Sequence, residues 1–476
     1  MVLNGTEQRV DIWTDEPYML ANATWYGHRK LIHNGSSWFA CFDRYGDDDY
    51  QYQTVVMKSM DGIVWEDTGF PFMPGAGGSF AYPNMAVDGE GRVHLVANDN
   101  SNNRIKYCVY ENGAWGQVET LPQLPGNGYV DADILLLIDS GDKPHVVFAT
   151  GGSSGKVYYS NKVSGAWSAY EAVQPSAPRH YLDSAAIDNN NDIHITMVSM
   201  SDFNIYYAKG NAGSWPAWEM VFNGSDCNGS DIAVDSTGKP YIILARGTEM
   251  TLLSKGGSWS SEQISSVQNN THPSIHISGS DKIYIAWVQS PAAGYNNQQI
   301  YLLHNESGAW AEPVNASHDD TLGGWAYPVV YADDTRCGIM AMNYDYTHIC
   351  GWFTAGGGGN IEKPDKWGDL ILNITQYNRD EIPQLSAEYS LIPLIGVTAA
   401  QSRLLSAGRL RERRSVTGWA VKADFDSLEE DYEAFAKNKV QFHDGTAINP
   451  AIIEELSATR QKGTGIVFYE ITFLEV

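Results

Sequence analysis

The residues best equipped for chemistry are His, Tyr, Arg and Asp that stand immediately before short apolar runs. In chain order they are His28 and Arg29, Tyr82, Asp131 and Asp133, then Arg179, His180, Tyr181 and Asp183. Asp231, His272 and Tyr327 complete the series. Tyr82, His272 and Tyr327 are each followed by Pro. A neutral His is a base near neutral pH, and Tyr, Asp and Arg can stack on, bond or neutralise a sugar-like ligand. Two readings stay open at this level. The group forms a ligand-binding face, or the same residues cap turns and fill the rim of a channel.

What must position these residues is a repeat. Gly-Ala/Ser-Trp recurs, ending at Trp115, Trp167, Trp215, Trp259 and Trp310, with a variant, Ser59-Met60-Asp61-Gly62-Ile63-Val64-Trp65, ahead of them. Successive Trp residues from Trp65 lie 50, 52, 48, 44 and 51 positions apart. Before each Trp run an apolar strand, a turn near Asp or Ser, and a strand opening with His or Tyr, as in MAVDGEGRVHLVA and LLIDSGDKPHVVFA. Four short strands per unit of this length is the spacing of a propeller blade, and counting units gives seven. The seventh supplies only three strands before Gly356-Gly357-Gly358-Gly359. The segment Glu7–Trp13 is therefore predicted to complete it and remove the open edges.

The SMDGIVW segment resembles the Asp-box of sialidase-like BNR propellers, and the Gly-x-Trp copies are similar to reduced versions of it. The resemblance covers roughly residues 7–355 and implies outer hairpins that stabilise turns away from any site. A sialidase would need an arginine triad. Of the eight Arg in this region only Arg29 and Arg179 stand at strand starts, with Arg246 distant. Some seven-bladed relatives are polysaccharide lyases. That resemblance would cast Arg179, His180, Tyr181, His272 and Tyr327 as the catalytic set; otherwise none is catalytic.

His94, His145 and His194 share one register in successive blades, so they diverge outward and read as structural rather than as ligands of one metal. No cofactor is expected. Asp47-Asp48-Asp49 and Asp319-Asp320 match no Ca²⁺-loop pattern and leave only a weak case for Ca²⁺.

The chain has 476 residues and a formal net charge of −26, which argues against nucleic acid as a partner. No apolar run is long enough to span a membrane, no signal peptide is visible, and five scattered Cys imply no disulfide framework. The acidity is uneven: residues 1–360 carry net −21 and residues 361–476 net −5. The division read from this is a propeller over 1–355, a Gly-rich linker over 356–361 and a small α+β module over 362–476. In the module, Ser427-Leu428-Glu429-Glu430 is a capping box, and Asn449-Pro450 opens a second predicted helix carrying Ile452, Ile453 and Leu456. Strands are predicted at Leu370–Ile374, Gly418–Ala423, Val440–Phe442 and Gly465–Glu475.

Arg409, Arg411, Arg413 and Arg414 form a cluster suited to an acidic partner or a copy of the chain, or to guarding an edge strand. The segments FHDGTAINP and YEITFLEV are similar in style to structural modules of bacteriophage tails and baseplates. This resemblance implies a virion part that presents a glycan-binding propeller and is anchored by its C-terminal module. Nine Asn-x-Ser/Thr sites leave a secreted, extracellular protein as the other setting.

Overall fold

The computed structural model describes residues 9–14, 29–45, 52–69, 80–125, 129–151, 156–173, 180–199, 203–223, 227–246, 249–265, 270–290, 298–317, 324–343 and 347–354, together with Leu3 and the strands of the C-terminal part. Two compact units result, Met1–Gly356 and Gly357–Val476.

The first unit is a seven-bladed propeller. Blade 2 shows the plan: an inner strand Phe80–Val87, then Val93–Asp99, Arg104–Glu111 and the outer Glu119–Thr120, all antiparallel. The other inner strands are Leu31–His33, Val130–Ile138, His180–Ile187, Cys227–Val234, Asn270–Ile277 and Trp325–Ala332. Blade 7 takes its outer strand from the N-terminal segment. Val10–Thr14 pairs antiparallel with His348–Phe353, placing Val10 opposite Gly351 and Thr14 opposite His348. The expected closure by the N-terminal strand is thus present.

No single central core exists. Buried apolar residues of the propeller gather in seven clusters, one at each blade–blade junction. Strands buried on both faces read as near-continuous apolar runs, which is why LLLI and AAI stand where they do. The junction between blades 7 and 1 includes Ile12 of the closing strand with Leu31, Trp38, Phe42 and Met342.

Three of the junctions are also clasped by polar groups that the repeat copies. His145 Nε2 meets Asp139 of its own turn at 3.1 Å and Nδ1 meets the Tyr159 hydroxyl at 2.6 Å; Tyr159 then packs edge-on against Trp215 of the next blade at 5.4 Å. The same chain runs through Asp88, His94, Tyr107 and Trp167, and through Asp188, His194, Tyr207 and Trp259. The three histidines are structural, as their register implied. At the turn face, neighbouring loops bond in sequence around the ring, for example Gly89 N to Asp142 at 2.7 Å and Ser236 N to Asp281 at 2.7 Å. In the SMDGIVW turn, Asp61 accepts from the Ile63 and Val64 amides. Gly62 has φ +80°, and a Cβ there would lie 2.7 Å from Phe353 of blade 7.

The second unit holds a five-stranded antiparallel sheet in the order Asn373–Tyr377, Arg413–Val421, Ile466–Glu475, Ile448–Arg460, Lys439–His443. The helix expected from Asn449-Pro450 is instead the strand Ile448–Arg460. Its ladder with Ile466–Glu475 runs from Ala451 opposite Glu475 to Arg460 opposite Val467. Only five residues, Gln461 to Gly465, separate the two strands, and the Gly-Thr-Gly among them favours a hairpin over a continuing helix. Pro450 precedes that ladder, so its missing N–H removes no bond from it. The helix expected at Ser427–Glu430 lies outside the described residues.

Burial holds the pKa of His94, His145 and His194 below the usual value, against the pull of their Asp partners. At Asp188 burial opposes ionisation, but bonds from Lys209, the Asp192 amide and His194 outweigh it and bring the pKa down to about 2. In both cases the unfolded chain binds protons more readily. The stability contributed by these histidines is full above about pH 6.5 and lost as pH falls, and that of the aspartates is lost below about pH 4. Urea midpoints should therefore drop steadily between pH 7 and pH 4, and His94→Gln with His145→Gln and His194→Gln should flatten that slope. Ile12→Ala should destabilise by about 2–5 kcal/mol in urea unfolding at pH 7, because it opens a cavity at the junction that closes the ring.

Candidate functional site

Strand direction sorts the loops. Each inner strand runs from one face of the ring to the Asp/Ser-turn face, so the starts of all seven inner strands lie on the face opposite those turns. At these starts the ladder to the second strand slips. In blades 2, 6 and 7 the register jumps between Ala81 and Asn84, Thr271 and Ser274, and Ala326 and Val329. The displaced pairs are Tyr82-Pro83, His272-Pro273 and Tyr327-Pro328. Blades 3, 4 and 5 slip at the same place without a proline, so the bulge belongs to the repeat, and proline is tolerated in it because it need donate no ladder bond there.

The bulge forces unusual backbone. Tyr82, His272 and Tyr327 have φ of 57°, 51° and 52°. A bulky residue before proline normally takes an extended conformation with negative φ, so each of the three holds about 1–3 kcal/mol of strain. Arg29 at the blade 1 start has φ 111°, and blade 5 uses Gly229 at φ 102°. At Tyr82 the holding contact is visible: its amide donates to Asp43 Oδ2 at 2.8 Å, and Asp43 is itself fully buried in blade 1. Asp43 was not singled out from sequence, since nothing in DRYGDDD marks one aspartate for a neighbouring blade.

Two of the three aromatic side chains meet. The rings of His272 and Tyr327 are 4.1 Å apart and inclined at 63°, a T-shaped pair across the junction of blades 6 and 7. Both are half-buried. Burial pushes the His272 pKa down to about 4, so the ring is neutral at pH 7, and its buried Nδ1 has no hydrogen-bond partner. A neutral imidazole edge-on to a phenol, with a nitrogen unsatisfied, can accept or donate one bond to a ligand and offer it an aromatic wall.

The remaining sequence candidates fall elsewhere. Asp231 is 1% exposed. Its Oδ1 accepts from Ser184 Oγ (2.6 Å) and its own strand's Ile232 amide (2.7 Å), and its Oδ2 from the Ile275 amide (2.7 Å). Asp183 is 4% exposed and receives Ser230 Oγ at 2.5 Å. Both carboxylates stitch inner strands together. Arg29 turns into the axis and donates from Nη2 to the Ala185 carbonyl of blade 4 at 3.2 Å. Arg246 pairs with Glu249 at 2.6 Å and lies over Phe222, so it does not join Arg29. Asp131, Asp133, His180 and Tyr181 lie on inner strands, where only their backbone is described. His28 and Arg179 lie outside the described residues, as do Asp47–Asp49 and Asp319–Asp320. In the second unit Arg413 and Arg414 open a strand opposite Leu474 and Phe473, while Arg409 and Arg411 lie outside the described residues. Among the described residues of both units, no group of three or more His, Cys, Asp or Glu is placed to hold a metal ion.

No family model matches this sequence, and no curated protein matches it. Some solved structures are similar to this chain. One is a polysaccharide lyase described as an ulvan lyase, 12% identical over 74% of this chain and 96% of that chain, with a TM-score of 0.47. Another is the α-L-arabinanase of Penicillium chrysogenum in complex with arabinobiose, 11% identical over 74% and 98%, TM-score 0.47. A third is the Aleuria aurantia lectin, 15% identical over 64% and 100%, TM-score 0.40.

The strain at the bulges yields a direct expectation. His272→Gly removes both the positive-φ penalty and the unsatisfied Nδ1, and loses only the contact with Tyr327. The variant should unfold at a higher urea midpoint than the parent, by about 1–3 kcal/mol. A lower midpoint would show that His272 serves the fold.

Proposed function

We propose that the propeller is a carbohydrate-binding domain whose binding surface is the face bearing Tyr82, His272 and Tyr327. The observation that carries this reading is the positive-φ backbone of those three residues. Strain of this kind persists where the surrounding fold over-determines it, and it concentrates at binding sites. Three aromatic rings on one face, one of them with an uncommitted buried nitrogen, suit stacking on sugar rings and bonding to hydroxyl groups. The second unit completes the reading: it anchors the propeller in a larger assembly, with Arg413 and Arg414, beside Arg409 and Arg411, as the partner-facing cluster. The setting proposed for that assembly is a phage particle, with attachment to host-surface glycans as the purpose.

A second reading rests on His272 alone. A neutral imidazole beside a tyrosine can remove a proton next to a uronate carboxyl, which is the opening step of a polysaccharide lyase. In that case Tyr327 would serve the leaving oxygen, with Arg179, His180 and Tyr181 supplying the remaining groups.

Glycan-array binding of the full chain decides between them when paired with an absorbance assay for unsaturated products. The first reading expects saturable binding without turnover, reduced at least tenfold by Tyr327→Ala or His272→Ala. Product formation that disappears in His272→Ala would establish the lyase instead. Absence of both binding and turnover on neutral and acidic glycans would sink both readings.

A further inference from the structure

The propeller axis holds a second, chemically distinct site. Between the level of Arg29 and the turn face lies a cavity of about 300 Å³, at the lower end of the range for small-molecule sites. Its outer wall is aliphatic, formed by the last residues of successive inner strands: Val87, Ile138, Ile187, Val234 and Ile277. Arg29, Asp231 and His276 give the same lining a polar part.

The polar part is not self-satisfied. Arg29 spends one donor on the Ala185 carbonyl. Among the described residues no carboxylate lies within ion-pair distance of its guanidinium, and it has no further side-chain bond. Asp231 is the nearest opposite charge that acts on it, yet the Asp231 oxygens already accept from Ser184, Ile232 and Ile275. His276 packs against Tyr331 at 4.7 Å, and among the described residues its ring nitrogens have no hydrogen-bond partner. Burial, reinforced by the positive charge of Arg29, lowers its pKa to about 4, so at pH 7 it is neutral. Tyr331 is committed, since its hydroxyl donates to the His33 carbonyl at 3.3 Å. The cavity therefore offers several unspent N–H groups of one planar cation and one neutral imidazole, behind an apolar sleeve.

We propose that this axial cavity is a binding site for a small aliphatic carboxylate. A carboxylate matches a guanidinium with two parallel hydrogen bonds, which a single-atom anion cannot do. The His276 ring can donate a further bond to the bound oxygen, and the Val/Ile sleeve takes a short branched hydrocarbon body. The rim works against any anion: Asp142, Asp281 and Asp334 stand in the turns around it. Those carboxylates are each occupied by neighbouring turn amides or hydroxyls, and salt screens them over about 8 Å at physiological strength.

Isobutyrate is the probe, with isobutyramide as its uncharged isostere, each titrated into the full chain at pH 7 by calorimetry and by thermal unfolding. The expected result is one saturable isobutyrate site per chain and a rise in Tm, with isobutyramide at least tenfold weaker. Arg29→Lys, which keeps the charge but not the planar fork, should weaken isobutyrate at least tenfold. Ile187→Phe narrows the sleeve without touching Arg29 and should abolish binding while leaving Tm equal or higher. Neither substitution should alter glycan binding, so failure here and failure of the glycan reading are separable. Equal binding of the amide, undiminished binding by both variants, or no saturable binding of isobutyrate would each overturn the proposal.

Discussion

Every blade of this protein borrows half of its core from the next. A four-stranded sheet with two apolar faces cannot be stable in water, and here each face is buried only by a neighbouring sheet. The ring must therefore close, and closure is delegated to one short segment, Val10–Thr14, laid against His348–Phe353. Without it, the junction that contains Ile12, Leu31 and Met342 would open, and the defect would expose two blades rather than one.

The same dependence explains why polar residues recur so regularly. The Asp–His–Tyr chains of blades 2, 3 and 4 end on a Trp from the following blade, so each blade fixes the orientation of the next as well as its distance. Buried imidazoles are costly when unpaired, but these have both nitrogens occupied. Buried indole N–H groups without a partner do stand on the outer part of the blades, at Trp215, Trp218 and Trp259. Along the axis, strain and unmet hydrogen bonds sit at the bulges and in the cavity around Arg29 and His276.

Repeat periodicity made the architecture legible. Trp spacing, the turn Asp and the absence of a fourth, Trp-bearing strand from the seventh unit were enough to infer seven blades and an N-terminal closing strand, because each signal reports local geometry copied around a ring. The site was legible only in part. Tyr82, His272 and Tyr327 stood out through the following Pro, which the bulge at the start of the inner strand accommodates. Asp231 and Asp183 have the same sequence context as ligand groups, but the adjacent blade supplies Ser184, Ser230 and the Ile275 amide, and that is a tertiary fact. His276 went unread for the opposite reason: within SIHI it looks like an ordinary interior residue, and only the seven-fold convergence of inner strands turns it toward a cavity. In the second unit, Ile452, Ile453 and Leu456 fit a helix face as well as a strand, and the hairpin with Ile466–Glu475 decided the matter through a ladder that no local pattern encodes.

The two ends of the axis follow from one asymmetry in the blade. At the turn face, the second strand returns at once, so the loops are short, Asp- and Asn-rich, and bonded to each other around the ring. At the opposite face the inner strands begin, and those of blades 2, 6 and 7 bend there at a bulge. That bend is where bulges, positive φ and large side chains are tolerated, since no partner strand lies ahead of it. Two of these side chains, Tyr82 and Tyr327, also pack partly against a junction cluster, which holds their rings in place. On the function proposed above, ligand recognition by stacking belongs to the bend face. The turn face contributes only what the axis itself encloses, a narrow apolar sleeve ending on a guanidinium held across the ring by blade 4.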